Sequence, residues 1–231
     1  MPVRHRLLLA LVLVSVVGTA VAAPAAAREP PRAACAVCTD ALDAAAAAAG
    51  VTLEPGDSTM VVTVAENGST RWTARVALAS GADRLANDSL RSAVVADAMD
   101  RGRPAATPED VSSRLDGDTL VVSYRDTDAV ESEVGVLLFT AFHASDPVRP
   151  FVAGGEGTVF VGADELVVRA PEGYAVSGRY GDAAVTGDAV RWTGDAAGES
   201  SIDRSTAVAF VPGGAWFPRV RATLARLLVG L

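Results

Sequence analysis

Two cysteines spaced by two residues, Cys35-Ala36-Val37-Cys38, are the part of this chain best equipped for chemistry. Such a pair can exchange electrons with other thiols, supply half of a zinc site, or close into a local structural bridge. Exchange needs a thiolate of lowered pKa, commonly at a helix N-terminus. The alanine run Ala41 to Ala49 follows at once, with Thr39 or Asp40 placed to cap it and Gly50 to end it. No βαβ pattern surrounds the pair, however. A tetrahedral zinc site needs two further ligands, for which the mature chain offers only His143 and carboxylates. An oxidising compartment favours a Cys35–Cys38 disulfide, with redox exchange as its rival.

Other candidates are less specific. His143 lies in Phe142-His143-Ala144-Ser145-Asp146-Pro147, and a Ser-His-Asp triad would have to use it, since His5 belongs to a leader. Triads are assembled by the fold, and no Gly-x-Ser-x-Gly elbow is present, so His143 reads as a loop histidine at a strand end. Asp164-Glu165 suggests the carboxylate pair of a glycosidase, which must stand ~5 to 9 Å apart across a sugar. With 28 acidic side chains such neighbours are inevitable, and a solvated acidic surface is the simpler reading. Asp146, Glu156, Asp164, Asp182, Asp188 and Asp195 fall between predicted strands, where their oxygens suit weak Ca²⁺ binding, but no EF-hand or repeat spacing organises them. The sequence therefore assigns no catalytic residue, metal or cofactor. Asn67-Gly68-Ser69 and Asn87-Asp88-Ser89 are N-glycosylation sequons, with Asn67 the stronger because it sits on a turn.

The elements that must position these groups begin with a leader. Basic Arg4-His5-Arg6 precedes an apolar run from Leu7 to Val21 and then small residues. The run is roughly 15 residues, short of the ~20 that span a bilayer, so 1–27 reads as a signal peptide cleaved between Ala23 and Arg28. Residues 28–58 form a Pro-rich linker, the cysteine pair and the alanine helix. From Thr59 the period changes to two: Met60 to Val64, an Asn-Gly turn, and Thr70 to Leu78 make a hairpin, with Trp72, Ala74, Val76 and Leu78 on its core face. Asp83 to Arg101 returns to helical spacing through Leu85, Leu90, Val94, Val95 and Met99. Strands follow at 119–124, 134–142, 158–161, 165–168, 174–177, 189–193 and 207–211. The whole predicts a mainly β protein: an antiparallel β-sandwich over 59–214, an inserted helix, and short N- and C-terminal helices. In 215–231, Val220, Leu224, Leu227, Leu228 and Leu231 recur at helical spacing beside Arg219, Arg221 and Arg226. That amphipathic segment either docks on the sandwich or touches a membrane surface.

Cys-Ala-Val-Cys before an Ala-rich helix, Val64-Ala65-Glu66-Asn67-Gly68-Ser69-Thr70-Arg71-Trp72-Thr73, Val121-Val122-Ser123-Tyr124-Arg125 and 162–174 resemble a haloarchaeal family of exported, often membrane-anchored proteins of unknown function. The resemblance implies extracellular or cell-surface placement and brings no catalytic residue. Composition agrees: all 20 basic residues are Arg, and loss of Arg4 and Arg6 takes the formal charge from -8 to -10. Such a surface disfavours nucleic acid, which needs a clustered basic face. The expectation is an exported cell-surface or envelope module acting through interaction or structure on an unknown envelope protein; the alternative is an exported thiol oxidoreductase or hydrolase. An acid excess of this size repels itself until ions screen it within ~3 Å at 1 M salt. Thermal melts should therefore rise clearly from low to molar KCl; an unchanged midpoint would contradict the halophilic reading of the surface.

Overall fold

Apolar alternation and its punctuation divide the chain into fourteen strands and three α-helices among the described residues. The computed structural model describes residues 31–143, 159–194, 200–203 and 205–230; the leader, Ser145, Asp146, Glu156 and Asp195 lie outside them. First come β1 (Arg32–Ala33), a 3-10 turn at Ala36–Cys38 and α1 (Ala41–Ala48). The long hairpin β2 (Glu54–Val64) and β3 (Thr70–Ser80) leads through a second 3-10 turn, Arg84–Ala86, to α2 (Asp88–Gly102). Then follow β4 (Glu109–Asp116), β5 (Thr119–Asp126), β6 (Val130–Glu133), β7 (Val136–Phe139), β8 (Val159–Phe160), β9 (Glu165–Arg169) and β10 (Tyr174–Arg179). The last elements are β11 (Ala184–Thr186), β12 (Ala189–Thr193), β13 (Ser201–Ile202), β14 (Ala207–Pro212) and α3 (Pro218–Val229).

Seven strands pair in the order β11-β12-β9-β2-β3-β5-β4 and four in the order β10-β14-β7-β6, with a small sheet β1-β8-β13. Along β3 the pleat separates two surfaces. Trp72, Ala74, Val76 and Leu78 are buried, while Arg71, Arg75 and Ala77 are exposed. Directly opposite residues share a face, so Met60, Val62, Leu120, Val122, Tyr124, Leu166 and Val168 join the inner surface. Against it packs the four-stranded sheet, whose Phe139 lies 5.9 Å from Trp72 between ring centres. Val94, Val95, Ala98 and Met99 of α2 belong to the same core. The outer face of the four-stranded sheet is covered by α3, through Ala222 and Ala225 on Val136, Leu138, Ala209 and Val211. The outer face of the seven-stranded sheet carries the polar half of the alternation.

The mainly β, sandwich-like architecture thus agrees with the sequence pattern, and several details depart from it. Two pairs of neighbours, β2 with β9 and β1 with β8, run parallel, so the seven-stranded and the small sheet are mixed, while the four-stranded sheet is antiparallel throughout. Parallel neighbours need crossovers, which local periodicity does not reveal. The strand predicted over 134–142 is shorter, β7 alone, and its first two residues are the turn of a tight hairpin with β6: Val134 and Gly135 take φ of 47° and 73°, and Glu133 and Val136 are opposed. Two positive φ values suit the twist of a two-residue turn, although a β-branched residue fits the first position poorly. Strand β4 was not foreseen because, as an edge strand, it is nearly all exposed and its Asp and Ser content reads as loop. Helix α2 starts at Asp88 rather than Asp83, since the Asn87 side chain accepts the Leu90 N–H and caps it there. Residues 33–37 are fully buried in the main core, which makes them part of the β unit rather than a tether to it.

The two faces of β3 make a paired expectation. Trp72→Ala removes a fully buried ring and should cost about 3 to 5 kcal/mol, while Arg75→Ala should stay within about 0.5 kcal/mol. Denaturant melts of both variants check this; a neutral Trp72→Ala beside a destabilising Arg75→Ala would mean the register is wrong.

Candidate functional site

The cysteine pair is placed by backbone bonds on both sides. Ala34 and Cys35 donate to the carbonyls of Phe160 and Val161, and Ala33 exchanges bonds with Arg103 and Ala105. Cys35 and Cys38 are joined as a disulfide with Cα atoms 5.3 Å apart. Two glycines let the chain pass this close. A Cβ on Gly102 would meet the Ala36 carbonyl oxygen at 2.6 Å, and one on Gly162, whose φ is +70°, would meet that of Cys35 at 2.7 Å. Thr39 finishes the link to α1: its hydroxyl donates to the Ala36 carbonyl and accepts the Ala41 N–H.

Cys38 is half-buried and opens onto a cavity of about 260 Å³ lined also by Asp40, Asp43, Ser58 and Asp164. Asp164 accepts both the Ser58 N–H (2.7 Å) and hydroxyl (3.0 Å), latching β2 to the entry of β9. Among the described residues no cationic side chain lines the cavity. Partial burial, then the neighbouring Asp40, holds the Asp43 carboxyl above its usual range. For thiol exchange these surroundings are unfavourable. An attacking thiolate would approach Cys38 past three carboxylates, and the departing Cys35 sulfur would carry its charge among buried Ala34, Ala36 and Val37. The arrangement suits a bridge that fastens the segment.

The other sequence candidates do not converge. His143 donates its backbone N–H to Thr140 and its Nδ1 is buried without a partner, while Ser145 and Asp146 lie outside the described residues. Asp164 is held by Ser58, and Glu165 stands on the outer sheet face paired with Arg191. Asp182 and Asp188 sit in separate turns; among the described residues no three His, Cys, Asp or Glu side chains gather as metal ligands. Asn67 and Asn87 are both exposed. Asn67 accepts the backbone and hydroxyl hydrogens of Ser69 at the hairpin tip.

Two surfaces remain, the first on the amphipathic segment that periodicity singled out and the second on a sheet face that it did not. Helix α3 turns Ala222 and Ala225 inward and exposes Val220, Leu224, Leu227 and Leu228, with Trp216 and Phe217 before it 80% and 70% exposed. The outer face of the seven-stranded sheet carries Arg71, Arg75, Arg114, Arg125, Arg169 and Arg191. Asp116 pairs with Arg75 and Arg114, Asp110 with Arg125, and Glu165 with Arg191. Arg71 and Arg75 share the outward side of β3 in the sequence pattern, but which arginines of different strands stand side by side depends on register.

No protein-family model matches the chain, and no curated protein matches it either. The close approach at the disulfide gives its own expectation. Gly162→Ala meets both a positive φ and the Cys35 carbonyl and should cost about 2 to 4 kcal/mol. Gly117→Ala, with φ of +61° and open space around it, should cost about 1 kcal/mol. Equal melting shifts for the two variants would show that the segment does not bear on Gly162.

Proposed function

We propose that the protein is an exported, non-catalytic envelope module held at a membrane surface by α3. The orientation of α3 carries this reading. A helix that only closes a core turns its large apolar side chains inward, whereas this one docks through two alanines and leaves its leucines in water. An exposed apolar patch of this kind marks a surface that is covered by something else.

Charge selects the cover. From Pro212 onward the chain carries Arg219, Arg221 and Arg226 and no Asp or Glu, within a protein of formal charge -8. Arg179 on β10 adds to the cluster: burial first, then this neighbour, holds the Arg226 guanidinium below its usual range. A second copy of α3 would bring like charges together, while an anionic lipid surface accepts leucines into its acyl boundary and arginines among its headgroups. Trp216 and Phe217 are of the type that settles at that boundary. No described helix is long and apolar enough to cross a membrane, so the contact proposed is with the surface.

The remaining features fit the same reading. An exported protein meets the oxidising conditions in which a Cys35–Cys38 bridge persists. Exposed Asn67 and Asn87 are open to glycan transfer in a host that performs it. The likeness to haloarchaeal exported proteins is part of this proposal and supplies no reaction. Flotation with vesicles tests it. The protein should rise with phosphatidylglycerol vesicles, more weakly as salt increases and little with phosphatidylcholine alone. Leu224→Glu/Leu227→Glu, at side chains 49% and 68% exposed, should lower partitioning roughly 100-fold without changing the melt. A protein that stays below both kinds of vesicle, or a variant that floats equally well, would refute the assignment.

A further inference from the structure

Register brings three arginines of the outer sheet face into one row. Arg125 on β5 is opposite Arg71 on β3, Arg71 is opposite Thr63 on β2, and Thr63 is opposite Arg169 on β9. Neighbouring strands are ~4.8 Å apart, so Arg71 and Arg169 flank the Thr63 hydroxyl with roughly 10 Å between their backbones. Like charges directly opposed across a sheet weaken it. Arg125 is relieved by Asp110, with Glu109 opposite it, but Arg71 and Arg169 have no carboxylate partner among the described residues. Of the other carboxylates on this face, Asp116 and Glu165 are engaged by other arginines, and Glu109 stands two strands away from Arg71. This end of the sheet therefore holds two exposed guanidinium groups beside a hydroxyl, with no carboxylate bonded to them among the described residues.

The complement lies at the other end of the same two strands. The cavity at Asp40, Asp43 and Asp164 is entered beside Ser58, at the start of β2 and β9, about 17 Å along β2 from Thr63. Among the described residues it has three carboxylates, of which Asp164 alone is hydrogen-bonded, and no cationic side chain. Asp40 and Asp43 are near enough to repel one another, and a carboxylate of this kind accepts a planar guanidinium bidentately.

We infer that copies of this chain associate head to tail, the Arg71–Thr63–Arg169 row on the outer sheet face of one seating on the Asp40–Asp43–Asp164 cavity of the next. The two patches differ, so the contact is heterologous and propagates into a row of copies rather than closing at a dimer. The donor face is on the opposite side of the sandwich from α3, which leaves α3 uncovered by this contact. The inference is independent of the membrane reading.

Sedimentation velocity on the full chain tests it with charge-reversed variants. Wild type should form concentration-dependent oligomers at about 0.05 M salt that dissociate at 1 M, where screening is within ~3 Å. Arg71→Glu/Arg169→Glu and Asp40→Arg/Asp43→Arg should each be monomeric, weakened at least ~100-fold, and mixing the two should restore association. Restoration also excludes misfolding as the cause of either loss. A wild type that is monomeric at every salt, or association that survives both reversals, overturns the inference. Association that grows with salt would belong to the apolar face of α3 and would overturn it as well. Monomeric wild type retained on a polyglutamate matrix, with the arginine variant not retained, would overturn it by assigning the row to an acidic partner protein instead.

Discussion

Burial of Trp72 is the interaction on which the rest of this structure depends. Its ring stacks on Tyr124 at 5.8 Å within β-sheet neighbours and meets Phe139 and Phe142 from the facing layer. Indole is the largest side chain at the centre of the core, and its one polar atom must be satisfied locally. Trp72 Nε1 donates to the Thr70 hydroxyl, which donates in turn to the Asp126 carbonyl. Phe142 extends the cluster to Trp192 near the far edge of the seven-stranded sheet. Once both sheets turn their large residues towards this cluster, pleat geometry decides everything outside. One outer face is left to arginine, serine and threonine around a few valines such as Val121 and Val167, the other to the small and branched residues that receive α3.

The N-terminal segment adds a second constraint of a different kind. Residues 33–37 contribute little side-chain volume, so they gain stability from hydrogen bonds to β8 and to 103–105 and from close packing rather than from large apolar area. A short disulfide loop contributes less through unfolded-state entropy than a long one would. Its position suggests why it is kept: it fixes the turn that delivers Thr39 to α1 and sets Cys38 at the mouth of the acidic cavity. The carboxylates around this cavity disfavour an approaching thiolate, so the surroundings of Cys38 in three dimensions differ from those that its spacing suggests in the sequence.

How much of this was legible beforehand follows from the range of each interaction. The Asn67-Gly68 hairpin, the core face of β3 and the stripe of α2 are local patterns, and the structure has them where period and punctuation put them. Val134-Gly135 was obscured because valine at φ of 47° is a rare choice for a turn. The Ser58–Asp164 latch joins residues 106 apart, and the arginine row needs the register of four strands at once. Neither has any local signature. Helix α3 shows the remaining ambiguity: its stripe at Val220, Leu224, Leu227 and Leu228 was plain in the sequence, but amphipathic spacing does not say whether the apolar side faces a protein or a membrane. Ala222 and Ala225 do the docking, and their small size gave no signal of it.

The protein's three tryptophans allow the proposed membrane contact to be tested directly. Trp72 and Trp192 are 0% and 7% exposed, whereas Trp216 is 80% exposed at the start of α3. Fluorescence with phosphatidylglycerol vesicles carrying bromine at graded acyl depths reports where that one ring sits. The account predicts a blue shift and strongest quenching by shallow bromines, both lost in Trp216→Phe. Emission that is unchanged by vesicles, or a response that persists in Trp216→Phe, would contradict it.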